Sequence, residues 1–173
     1  MKPLFVLLTM FGLLAGSTYF LDGSANFVFA GNGAMAAMLL FTGVAHFAFT
    51  KGMMQMLPDF LPAKKAWILA TGVLEIAAAV GLLLPALRPV TAWLLIAFFV
   101  LILPGNIIAA QRHLNYQTGT LDGLGPRYLW FRIPLQLFFI AWTWYFALAL
   151  PLYLAVFPQE TYFIPYPLNY LFH

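Results

Sequence analysis

The stretch AWILATGVLEIAAAVGLLL, residues 66–84, decides the fold. It runs for about the 20 residues that a hydrocarbon core requires and holds a single charged side chain, Glu75. A carboxylate near the middle of a membrane helix costs roughly 2.5 to 3.5 kcal/mol on insertion scales, so it is expected to face a protein interior and to carry a task. Working outward, Pro3 to Leu21, Gly31 to Thr50, Val90 to Gln111 and Tyr128 to Leu150 read the same way. The chain therefore predicts an all-α membrane protein with five transmembrane helices.

Composition agrees with this reading. Of 173 residues, 64% are hydrophobic and 8% are charged, against about 25% charged in an ordinary soluble domain. No linker-like run divides the sequence, so one membrane domain over residues 1–173 is expected. Cysteine is absent, which removes disulfides, thiol relays and thiolate metal sites. The net charge of +3 calls for no nucleic acid, because basic residues beside membrane spans record orientation and attract anionic lipids. Lys2 followed by an apolar run also has the look of a signal peptide, but the run is long for one and is read as a retained helix.

Counting basic residues by side tests the topology. Five crossings put Lys2, Lys51, Lys64, Lys65, Arg112 and Arg127 on one side and Arg88 on the other. The positive-inside rule makes the first side cytoplasmic, with the N-terminus inside and the C-terminus outside. The expected location is a bacterial inner membrane. The tail, residues 151–173, contains four prolines and seven Tyr or Phe residues and is expected to lie at the outer interface, where aromatic rings are favoured.

Two further spans carry ionisable groups, His46 in the second and Arg132 in the fifth. At about 1.5 Å per helical residue, His46 and Arg132 lie roughly 7 Å from the cytoplasmic end and Glu75 about 12 to 14 Å in. Asn106, Gln111 and Gln136 fall in or near the same half. A polar pocket opening to the cytoplasm is expected, formed by His46, Glu75, Asn106, Arg132 and Gln136. Thr71 and Gly72 precede Glu75 by one turn, and Thr42 and Gly43 precede His46 likewise, so two small-residue faces are placed to meet. Arg132 has two readings that the sequence leaves open, reaching Glu75 or snorkelling to the headgroups. Pro104 and Gly105 predict a kink that presents Asn106 to the pocket.

In the loop from Lys51 to Lys65, Pro58 and Pro62 prevent one long helix. Met53, Met54, Met56 and Phe60 are candidate lid residues over a hydrophobic entrance, although a plain interfacial loop is the commoner case. Trp130, Trp142, Trp144 and Tyr145 read as interfacial anchors and packing. One histidine and one glutamate in the spans are too few ligands for a metal site. No phosphate loop, nucleophile elbow or nucleotide fingerprint is present.

Ala45-His46-Phe47, Pro58 and Pro62, Gly72-Val73-Leu74-Glu75, Leu103-Pro104-Gly105-Asn106 and Arg132-Ile133-Pro134-Leu135-Gln136 occur in that order. This series resembles the DoxX-like family of small membrane proteins. The resemblance implies a four-helix membrane core, here the second to fifth spans, with the first span as an addition. It also implies, for a few members, thiosulfate oxidation with quinone as acceptor; similar folds include receptor-assembly chaperones, so the architecture alone does not imply an enzyme.

Three readings of function follow. In the first, the pocket binds a quinone or other lipid-like ligand, His46 and Arg132 donating to carbonyls and Glu75 relaying protons, with electrons supplied by a redox partner or bound flavin. No cofactor beyond a quinone is suggested by the residues. In the second, this is a non-enzymatic assembly or lipid-binding protein whose partners are membrane lipids or a client membrane protein. Proton-coupled transport through Glu75 ranks third, because the outer half lacks polar residues to complete a path. The competing structural role for Glu75 is a pair with Arg132 or His46 that fixes helix register.

Overall fold

A computed structural model describes residues 2–157. The described chain is helical throughout its spans and forms an all-α membrane protein, with five helical stretches long and apolar enough to cross a bilayer. These are Lys2–Asp22, Phe27–Ala48, Lys64–Leu83, Arg88–Gln111 and Gly125–Val156. The individual helices are α1 (Lys2–Asp22), α2 (Phe27–Ala48), α3 (Thr50–Met54), α4 (Lys64–Leu83), α5 (Arg88–Leu101), α6 (Leu103–Gln111), α7 (Leu129–Trp144) and α8 (Leu150–Val156).

Sequence punctuation sets most helix ends. The Asn26 side chain accepts from the Phe29 backbone N–H at 2.9 Å, which starts α2 four residues before the expected Gly31 and satisfies one of the donors a helix start leaves open. Pro85 ends the third span, and Arg88 donates from Nε to the Leu82 carbonyl at 2.9 Å, a basic residue closing the C-terminal end of α4. The fourth span is interrupted at Ile102, just before Pro104, as the missing proline N–H predicts.

The fifth span departs from expectation. It runs on past Leu150 through α8 to Val156, because Pro151 stands in the first turn of that helix, where its missing N–H costs nothing. Residues 151–156 are therefore helical and continuous with the fifth stretch, and the remainder of the expected interfacial tail, 158–173, lies outside the described residues. Between α7 and α8, Tyr145–Ala149 forms a π-helical turn.

The core is built around α2. Ala34, Met35, Met38 and Leu39 of α2 pack with Ala79 and Leu82 of α4, Leu95 and Phe99 of α5, and Leu135 and Phe139 of α7. From α1, Leu7 alone joins the buried cluster, so the first span sits on the outside of a bundle made by the other four. Outward-facing residues such as Phe20, Trp93, Leu94 and Leu137 are large and apolar, the surface that acyl chains solvate. Trp130 is 87% exposed, as an anchor should be, whereas Trp142 turns inward and donates from Nε1 to the Gly31 carbonyl at 3.0 Å.

Both loops at one end of the bundle are tied together. Asp59 accepts from Arg112 at 2.7 Å and from Lys64 at 3.1 Å. Gln55 donates from Nε2 to the Gly119 carbonyl at 3.3 Å, and Arg112 donates to the Gln55 carbonyl at 3.2 Å. Gly52 lies directly beneath the Tyr116 carbonyl, and any side chain there would collide with it.

Candidate functional site

Two glycines determine the geometry of the ionisable cluster. At the crossing of α2 and α4, a Cβ on Gly72 would stand 2.8 Å from the His46 Cβ and 3.1 Å from the Gly43 carbonyl oxygen. A Cβ on Gly43 would stand 2.9 Å from Ile76 and 3.1 Å from the Gly72 carbonyl oxygen. Small residues at both positions let the backbones approach, and the residues one turn further on, His46 and Glu75, are thereby brought together. His46 Nε2 lies 3.5 Å from Glu75 Oε1. His46 Nδ1 lies 3.1 Å from Thr71 Oγ1.

The hydrogen-bond roles follow from Thr71. Its hydroxyl has one hydrogen, and the Ile68 and Trp67 carbonyls stand 2.8 and 3.1 Å away to receive it. With that hydrogen spent on the backbone, Thr71 Oγ1 accepts from Nδ1–H of His46. A neutral imidazole protonated at Nδ1 turns a lone pair at Nε2 toward Glu75. Two facing acceptors repel, so a proton placed between Nε2 and Oε1 would relieve the 3.5 Å contact and leave the pair without net charge. Glu75 is 5% exposed, and its second oxygen, Oε2, is buried with no hydrogen-bond partner among the described residues. The His46 side chain remains 17% exposed, which leaves its edge open to a molecule outside the pair.

The other expected pocket residues are distributed differently. Arg132 is partly buried and forms no ion pair within 4.0 Å among the described residues. Of the alternatives left open for Glu75, its direct partner is His46. Asn106 does not present its amide to a pocket; Nδ2 donates to the Ile102 carbonyl of its own helix at 3.1 Å. The Asn106 backbone N–H reaches the same carbonyl at 3.4 Å, so the side-chain amide adds a second donor there. Gln136 donates from Nε2 to the Phe99 carbonyl at 2.6 Å, leaving Oε1 buried and unpartnered. At the break before Pro104, the Gln136 amide serves the Phe99 carbonyl and the Asn106 amide reinforces the bond at Ile102.

Two open grooves occur at the loop end, of about 610 and 760 Å³. None of the five residues expected to form a pocket lines either of them. Of the lid candidates, Met53 is buried, Met54 lines both grooves, Met56 is half-buried and Phe60 is 85% exposed.

Three buried polar residues escaped the sequence reading, Thr18, Asn32 and Thr143, of which Asn32 ties two helices together. Asn32 is 3% exposed in the half of the bundle remote from Glu75, and its Nδ2 donates at 2.8 Å to both the Val28 carbonyl and the Phe146 carbonyl. The second bond holds the π-helical turn, whose altered register frees a carbonyl. That half of the bundle therefore contains a polar contact, built as a structural tie between α2 and the fifth span. An asparagine set between Gly31 and Gly33 was the available signal.

Fold and site together define a polytopic α-helical membrane protein with an ionisable pair enclosed at a glycine-mediated helix crossing. More particularly, residues 35–147, over half of the chain, match a family described as Domain of unknown function (DUF8561), and the protein belongs to that family. The matched region starts within α2, so α1 lies outside it. No curated protein and no solved structure matches the sequence.

Proposed function

We propose that this protein binds an uncharged, lipid-soluble ligand with an oxygen head group, of the quinone and quinol class, at the His46–Glu75 pair. The observation that carries this reading is Glu75 Oε2, a buried carboxyl oxygen without a donor among the described residues. A buried acceptor left empty costs about 1 to 3 kcal/mol, and a quinol hydroxyl is a donor delivered from the lipid phase. A proton placed between His46 and Glu75 would give the pair the means to exchange one with such a head group. Arg132, which forms no ion pair among the described residues, would supply donors for a ring carbonyl.

The role proposed is ligand binding within a redox system whose electrons come from a partner protein. A DoxX-like relationship, the location in a bacterial inner membrane and the cytoplasmic placement of the Lys51 and Arg112 loops belong to the same proposal, the last supported by the basic residues gathered at that end.

Native mass spectrometry of gently purified protein, wild type against Glu75→Leu, tests the reading. The expected result is a quinone-class molecule retained by the wild type and lost from a variant with unchanged helical content. Bulk phospholipid alone in both samples would overturn it and leave the assembly or lipid-binding role, in which the pair serves the helix crossing.

A further inference from the structure

We propose that the larger loop-end groove is a binding site for the head group of an acidic phospholipid. The groove, about 760 Å³, is lined by Lys51, Lys65 and Thr118 together with Phe47, Met54 and Leu69; Phe47 precedes Lys51, and Leu69 follows Lys65, by four residues, about one helical turn further into the bundle. No acidic residue lines it. Asp59, the acid that forms ion pairs at this end of the bundle, is engaged by Lys64 and Arg112. Lys51 and Lys65 form no ion pair among the described residues, and both are exposed.

Position matches charge. The groove lies where α2 ends at Ala48 and α4 begins at Lys64, the level at which hydrocarbon gives way to head groups. Phe47 is 46% exposed. A phosphodiester held by the two lysines would have Phe47 and Leu69, one turn deeper, beside the first part of an acyl chain. A free phosphate would use the cations and leave those apolar side chains bare, so the lipid is the occupant that uses the whole groove. Basic pockets beside membrane spans recognise anionic head groups through this combination of point charges and adjoining apolar surface. The site is separate from His46 and Glu75, neither of which lines it.

The test is reconstitution of the full chain into nanodiscs of phosphatidylcholine doped with phosphatidylglycerol, followed by native mass spectrometry of the lipids retained. Wild type should be enriched in phosphatidylglycerol relative to the disc. The Lys51→Gln/Lys65→Gln double variant should lose that enrichment by roughly fivefold for each lysine. Lys2→Gln/Arg127→Gln removes the same charge from exposed residues outside the groove and should keep it. Equal losses in the two double variants would show general surface attraction and overturn the site, as would enrichment that survives loss of both groove lysines or is absent from wild type. Displacement of the lipid by millimolar inorganic phosphate would assign the groove to free phosphate instead and likewise overturn the proposal.

Discussion

Gly72→Ala is the sharpest perturbation of the α2–α4 crossing. The added Cβ would stand 2.8 Å from the His46 Cβ, 3.1 Å from the Gly43 carbonyl oxygen and 3.1 Å from the Phe47 ring. Two of these neighbours are fixed to the α2 backbone, so no rotamer change relieves them. Restoring carbon–carbon contact to about 3.5–4.0 Å requires the helices to part by about 1 Å. Overpacking of this kind costs about 1–3 kcal/mol, while replacing glycine by alanine in a helix returns about 0.8–1.0 kcal/mol. The net expectation is a loss of about 0–2 kcal/mol and a separation of His46 from Glu75. Gly12→Ala in α1 is the matched control, because nothing stands within 4 Å of its added Cβ and only the helix-propensity gain applies. The assay is equilibrium unfolding by SDS in mixed micelles, with the three proteins compared at one lipid-to-detergent ratio. A Gly72→Ala protein stabilised as much as Gly12→Ala would refute the close-crossing argument.

Three more outcomes are expected. Thr71→Val removes the acceptor for His46 Nδ1 and should cost about 0.5–1.5 kcal/mol; a double-mutant cycle with His46→Phe that returns no coupling would contradict the contact. Asn32→Leu strips the Phe146 carbonyl of its side-chain donor and should cost about 0.6–1.7 kcal/mol in the membrane, measured by the same unfolding assay, with an unchanged midpoint counting against the tie. The Asp59 carboxyl is held below its usual value of 3.8, first by hydrogen bonding to Arg112 and then to Lys64, with both positive charges adding to the effect. Its stabilising contribution is therefore fully present above about pH 4 and is lost as pH falls through the lowered folded value; proteolytic protection of the two loops should fall over that range in wild type, and Asp59→Asn should be less protected already at neutral pH.

The hydrophobic runs made the five spans legible, since length and the scarcity of charge are sufficient to define them. The His46–Glu75 contact was legible too, because Gly43 and Gly72 stand one turn before each and select the faces that meet. Arg132 was not, as its long side chain reaches several places from one backbone position. Asn106 and Gln136 were marked as polar and buried, but the carbonyls they serve lie at the break before Pro104, and packing between α5 and α7, which no local spacing encodes, decides the second. The continuation through Pro151 was hidden because a proline reads as a stop unless the new first turn is seen. The loop tie from Asp59 to Arg112 joins residues 53 apart, beyond the reach of any helical period.

That tie bears on how the chain settles into the membrane. Asp59 and Arg112 follow the second and fourth spans, so they share a surface when the two intervening helices, α4 and the broken span from Arg88 to Gln111, have crossed as an antiparallel hairpin. A chain in which one of those crossings failed would hold the two side chains about 30 Å apart across hydrocarbon, with neither able to follow the other through. Lys64 is adjacent to Asp59 from the start, whereas Arg112 arrives later in synthesis. Closure of the cluster thus acts as a check on topology, completed by chains whose helices are threaded in the right sense.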